Sequence, residues 1–159
     1  MTSKVYVALR VPTDPMHAFE VFTQEIASWW QSSDLFAVTA DGDGTLSFES
    51  GVGGRLFTTL TDGQEYEIGR ICVWEPGKRL VFEWRQASFG PQLSTEVEVS
   101  FEAVGDETRI CVEHRAWDTI PRRHVARHGF PEQTTLEHVA DWWRVSLQSL
   151  KARLAATLL

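Results

Sequence analysis

Residues 95–116 read TEVEVSFEAVGDETRICVEHRA, and this stretch decides the fold. Thr95, Val97, Val99 and Phe101 alternate with Glu96, Glu98 and Ser100, the period of two of a strand with one apolar and one wet face. Gly105-Asp106 marks a turn. Beyond it Thr108, Ile110, Val112, His114 and Ala116 fall on one face, with Arg109, Glu113 and Arg115 on the other. Two such strands joined by a glycine turn form an antiparallel hairpin with one side in water.

The same texture extends upstream. From Leu46 onward, short apolar runs are broken at Gly51, Gly53-Gly54, Asp62-Gly63 and Pro76-Gly77, a spacing that predicts consecutive hairpins in a meander. At the N-terminus Val5, Val7, Leu9 and Val11 alternate with Tyr6, Ala8 and Arg10 and predict a first strand ending at Pro12. Thr13 or Asp14 then caps a helix with Pro15 in its first turn. Phe19, Phe22 and Ile26, with Val21 beside them, give that stretch an apolar side running to Trp29-Trp30, so short helices fill the interval. The last element begins near Thr134 or Thr135 and repeats Leu136, Ala140, Trp143, Leu147, Leu150 and Leu154 at steps of four and three, an amphipathic helix of about five turns or more. A sheet with one apolar face and a helix with one apolar stripe bury those surfaces against each other, which makes residues 1–159 one α+β domain.

Composition narrows the function classes. The chain has 159 residues, 43% hydrophobic, enough for a sizeable core, and a net charge of −7. That charge disfavours nucleic acid and anionic membrane as partners, because phosphate contacts need clustered Lys and Arg. No apolar run is long enough for a membrane span or a signal peptide. Cys72 and Cys111 lie far apart in apolar runs and read as buried structural thiols. The expected setting is a reducing cytoplasm.

The order strand, two short helices, antiparallel meander, long final helix resembles the START-like (SRPBCC, helix-grip) superfamily. Within it the chain is similar to the bacterial family named after the activator of the heat-shock-protein-90 ATPase. The resemblance is carried by "VPTDPMHAFEVF…SWW" (11–30), "GGRLF…DGQEYEIGRICVWEPGKRLVFEW" (53–84), "VEHRAW" (112–117) and Trp143-x-x-x-Leu147-x-x-Leu150. It implies a curved sheet of about six or seven strands wrapped around the final helix, with a cavity for apolar ligands between them; some relatives are polyketide cyclases. The eukaryotic co-chaperone that gives the family its name has an additional N-terminal domain with no counterpart in these residues, so its activity is not carried over.

Seven Trp and nine Phe are the most informative side chains. Phe82, Trp84, Phe101 and Trp143 are expected on inward faces and Trp30, Phe36 and Phe48 around a mouth, a set that suits a flat apolar ligand or simply fills a core. With Leu147 and His114 they form the expected binding site. His114 on an inward face needs a partner: a ligand oxygen, or a neighbouring hydroxyl or backbone group of the core itself. An enzymatic alternative uses His114 as acid or base with Tyr66 or Glu67 as second group, in a cyclase-like or hydrolytic role. A third reading, protein interaction or a homodimer, rests on an exposed aromatic patch of Trp29, Trp30 and Trp142.

Other motifs carry less. His124 and His128 stand four apart, with His138 and Asp141 further along, but Arg122, Arg123 and Arg127 repel a cation and no metal is expected. Gly51-x-Gly53-Gly54 lacks the Lys-Ser or Lys-Thr of a phosphate loop and reads as a hairpin turn. No nucleophile elbow surrounds any serine, and no cofactor is implied.

Overall fold

The elements follow one another as β1 (Val5–Val11), α1 (Pro15–Gln24), α2 (Ile26–Trp29), β2 (Thr45–Phe48), β3 (Arg55–Thr59), β4 (Glu65–Glu75), β5 (Arg79–Trp84), β6 (Thr95–Val104), β7 (Glu107–Arg115) and α3 (Glu132–Ala156). The computed structural model describes residues 4–156 apart from 34, 37, 40–41, 87–88, 90–92, 118–119, 122–123 and 125–128. β2 to β7 form the expected meander, each strand antiparallel to the next, and β1 joins at β7, giving the order β1-β7-β6-β5-β4-β3-β2. This is the α+β helix-grip arrangement: a curled seven-stranded sheet, two short helices after the first strand, and α3 packed against β1, α1 and α2.

Alternation does what the sequence led one to expect in β6, where Thr95, Val97, Val99 and Phe101 are buried and the residues between them are not. Its register sets Val97 opposite His114, Val99 opposite Val112 and Phe101 opposite Ile110, so both strands send one apolar row inward. The row ends at His114, because Ala116 leaves the strand with φ of 70°. In α1, Asp14 is the cap: its carboxylate accepts from the His17 N–H at 2.9 Å, with Pro15 in the first turn where its missing N–H costs nothing.

Curvature comes from β4. Pairing slips between Leu56 and Phe57 against β3 and again between Ile71 and Val73 against β5, and such bulges bend and twist a strand. The inward row passes from Ile68 to Ile71 across this region, which leaves Cys72 exposed on the outer face. The expectation of two buried thiols is therefore corrected: Cys111 is buried and Cys72 is not.

α3 starts earlier than its periodicity suggests. Thr135 is inside the first turn, its N–H and hydroxyl both reaching back to the Pro131 carbonyl at 2.9 and 3.1 Å, so it is not a cap. The helix has 25 residues, about 37 Å of axis. Its buried side is two rows wide. Thr135, Val139, Trp142 and Ser146 are buried beside Ala140, Trp143, Leu147, Leu150 and Leu154, while Leu136 is only partly covered. Among the described residues no helix is long and apolar enough to cross a membrane.

Candidate functional site

Trp84 closes β5, Thr95 opens β6 directly across from it, and His114 lies near the end of β7. The middle of α3 and the irregular residues after α2 close over this corner of the sheet. Trp30, half-buried, has its ring centroid 5.6 Å from Trp84, 5.5 Å from Trp142 and 5.7 Å from Trp143. Phe36 stacks on Trp142 at 5.2 Å, and Trp142 lies edge-on to Trp84 at 5.3 Å. Edge-to-face and offset contacts of this kind each add about 0.5–1.5 kcal/mol beyond the area they bury.

A polar thread runs through the rings. The Trp143 indole N–H donates to His114 Nδ1 at 3.0 Å, and His114 Nε2 lies 2.6 Å from Thr95 Oγ1. Thr95 in turn donates to the Trp84 carbonyl at 3.3 Å, and the Trp84 indole to Gln86 Oε1 at 3.2 Å. An indole can only donate, so Nδ1 is the acceptor and Nε2 carries the proton. Burial without a compensating anion pushes the imidazole down to about 3, so it is neutral at physiological pH.

Outside this thread a surface cleft of about 220 Å³ runs between Ser32, Ser33 and Leu35 on one wall and His138, Asp141, Trp142 and Val145 on the other. Trp142 belongs to both the cleft and the aromatic cluster. Its indole nitrogen and the Ser146 hydroxyl one turn further along α3 are buried and have no hydrogen-bond partner among the described residues.

Residues 12–155 match the family described as Activator of Hsp90 ATPase homolog 1-like protein. The chain belongs to this family. No curated protein matches the sequence. Among solved structures, MLL2253 from Mesorhizobium loti superposes with a TM-score of 0.68 at 18% identity over 97% of this chain and 98% of its own. The dimeric Aha1 from Colwellia psychrerythraea has a TM-score of 0.63 at 18% identity over 95% of both chains. DynU16, a putative protein in the dynemicin biosynthetic locus, has a TM-score of 0.66 at 20% identity over 96% of this chain but 47% of its own. At such identities the likeness carries the fold alone.

Within this Activator of Hsp90 ATPase homolog 1-like domain the expected site residues fall into two groups. Trp30, Phe36, Trp84, His114 and Trp143 converge, with Leu147 buried one turn beyond Trp143. Phe48 and Phe101 do not join them. Phe48 packs on Phe82 at 5.3 Å and Phe101 on Phe19 at 5.3 Å, in the part of the same core nearer α1, linked to the first group through Phe22, Trp29 and Trp30. Phe48 is buried there, which corrects its expected place at a mouth.

His114 takes the second of its two readings, a core histidine whose ring nitrogens are both occupied by protein groups and which offers no free edge. Two further expectations change. Tyr66 and Glu67 are not partners of His114: β5 and β6 separate β4 from β7, the Tyr66 hydroxyl donates to the Arg85 carbonyl at 2.8 Å, and Glu67 pairs with Arg70 at 2.9 Å. The aromatic patch is not exposed, since Trp29 is 0% and Trp142 5% accessible, the latter covered by Phe36 and Trp30. His128, Arg122, Arg123 and Arg127 lie outside the described residues, and among those described no three His, Cys, Asp or Glu gather as a metal site. Sequence reasoning did not find Ser32, Ser33, Val145 or Ser146. The one available signal was the Trp142-Trp143 doublet, since adjacent helical residues face different directions and both were large.

Proposed function

We propose that this domain binds a small, flat, apolar molecule in the corner where Trp30, Trp84, Trp142 and Trp143 meet between the sheet and α3, reached through the Ser32/Val145 cleft. One observation carries the reading: a concave opening whose floor, Trp142, is itself part of the aromatic cluster. Ligand sites are typically apolar hollows with a few polar groups, and this one has serines, His138 and Asp141 at its rim. At about 220 Å³ the cleft suits a ligand of one or two fused rings. The half-buried Trp30 is the ring best placed to swing aside, and its indole is tethered to Asp43 at 2.9 Å.

The geometry favours binding over catalysis. His114 is neutral and saturated, so its part is to hold Trp143 in place. We place the protein in the cytoplasm, where the thiols of Cys72 and Cys111 stay reduced. The Colwellia protein is a dimer, so native mass is measured alongside binding.

The test is a titration of ¹⁵N-labelled protein with tetralin, a bicyclic hydrocarbon. Saturable movement of the Trp30 and Trp142 indole signals supports the reading. Signals that stay still up to the solubility limit, with an empty protein in native mass spectrometry, overturn it.

A further inference from the structure

Resting on that reading, we infer that the ligand carries a neutral acceptor oxygen, a carbonyl in the first instance, which the Trp142 indole N–H and the Ser146 hydroxyl bind together. Both are buried donors with no acceptor among the described residues. An unsatisfied buried donor is costly, and proteins keep few of them without a reason.

Four other tryptophans in and around the cluster supply a contrast. They place their N–H groups on protein acceptors: Trp29 on the Val21 carbonyl at 3.1 Å, Trp30 on Asp43, Trp84 on Gln86 and Trp143 on His114. A buried hydroxyl in a helix ordinarily bonds back to the carbonyl four residues earlier. Thr23 does so to Phe19 at 2.8 Å and Thr135 to Pro131 at 3.1 Å. Ser146 has the Trp142 carbonyl at the same offset and leaves it alone.

The two donors belong together. Positions 142 and 146 are one turn apart on one helix face, and helical side chains lean toward the N-terminus, so Ser146 leans toward Trp142. Trp142 also floors the cleft, which gives a ligand a route to them. The ligand class follows from the surroundings. Rings of Trp30, Phe36 and Trp84 around Trp142 favour a flat body, and burying a charge there is costly. Asp141 on the rim further disfavours an anion. A planar ketone, lactone or amide meets these conditions.

The experiment compares 1-tetralone with tetralin, which differ by one carbonyl, by calorimetry and by the Trp142 indole signal. Tetralone is expected to bind roughly tenfold more tightly, the effect of one to two net hydrogen bonds, and to move the Trp142 N–H signal further downfield than tetralin does. Ser146→Ala, which keeps the helix and its apolar face, is expected to shrink that preference while leaving tetralin affinity within about twofold. Trp142→Phe alters the floor of the site, so it is read only through the ratio of the two affinities, which is expected to shrink as well. Equal affinity of the wild-type protein for both probes overturns the acceptor subsite and leaves the binding reading standing. A preference that survives both variants also overturns it. Binding of neither probe overturns both.

Discussion

Trp143 donates its indole N–H to His114 Nδ1 at 3.0 Å, across the gap between α3 and β7. That bond leaves the imidazole one way to place its proton, on Nε2 toward Thr95. The ring is therefore a neutral strut between helix and sheet, and its chemistry is set by Trp143 rather than by solvent.

Acid should remove this strut's contribution. The folded ring is held down to about 3 by burial, while an unfolded histidine takes its proton near 6.5. Between those values the unfolded chain binds the extra proton. Stability from His114 is thus complete above about 6.5 and is lost as pH falls toward 3, at up to ~1.4 kcal/mol per pH unit. Against His114→Gln, which keeps the carboxylates that also titrate in acid, the wild-type advantage in urea midpoint should shrink from pH 7 to pH 4. An advantage constant with pH would mean the ring is protonated when folded.

On the outer face, Arg115 answers a like-charge problem. Glu98 stands directly across from Glu113, a pairing that destabilises a sheet by itself. Arg115 bonds Glu98 through Nη1 and Glu96 through Nε, both at 2.7 Å, and Arg79 holds the other Glu98 oxygen at 2.7 Å. The Arg79 bond first, aided by Arg115, holds the Glu98 carboxyl below the usual carboxylate range, so this contribution is present above about 4.5 and fades as pH falls. Arg115→Met should cost about 1 kcal/mol at pH 7. In a Glu98→Gln background the cost should be smaller, as a double-mutant cycle will measure.

Alternation made β6 and β7 legible because each has one wet face and one dry one, and every second residue declares its side. β4 defeated the same logic. Ile71, Cys72, Val73 and Trp74 are all apolar, so the run hides which face each takes, and the slip between Ile71 and Val73 shifts the parity that would have exposed Cys72. The six-residue stripe of α3 was readable at steps of three and four. Its second row, Val139, Trp142 and Ser146, is buried because the sheet curves past the helix and Trp30 and Phe36 cover the remaining side, neither of which has a local pattern. For the site, the inward face of His114 could be read locally but its partner could not, since Trp143 is 29 residues away and reaches it only once α3 is docked.

Gly69 is required by close approach. A Cβ there would lie 1.7 Å from the Glu83 carbonyl oxygen, a backbone atom that cannot give way without unpairing β4 from β5. Gly69→Ala should cost about 3 kcal/mol or more, or prevent folding. Gly105→Ala, at φ of +61° with open space around it, should cost only about 1–2 kcal/mol. Urea denaturation of the pair decides: equal losses would mean the β4–β5 contact is looser than the structure has it.

Ser146 sets function against stability. Its hydroxyl is buried and unpaired, so Ser146→Ala should stabilise the ligand-free protein by about 1 kcal/mol, through a better helix former and the removal of an unsatisfied group. Thr23→Val supplies the contrast, because its hydroxyl is already bonded to Phe19 and its removal should cost about 1 kcal/mol. Thermal melts of both variants without ligand make the comparison. If Ser146→Ala is instead destabilising, the hydroxyl has a partner in solution, and the acceptor subsite it shares with Trp142 falls with that result.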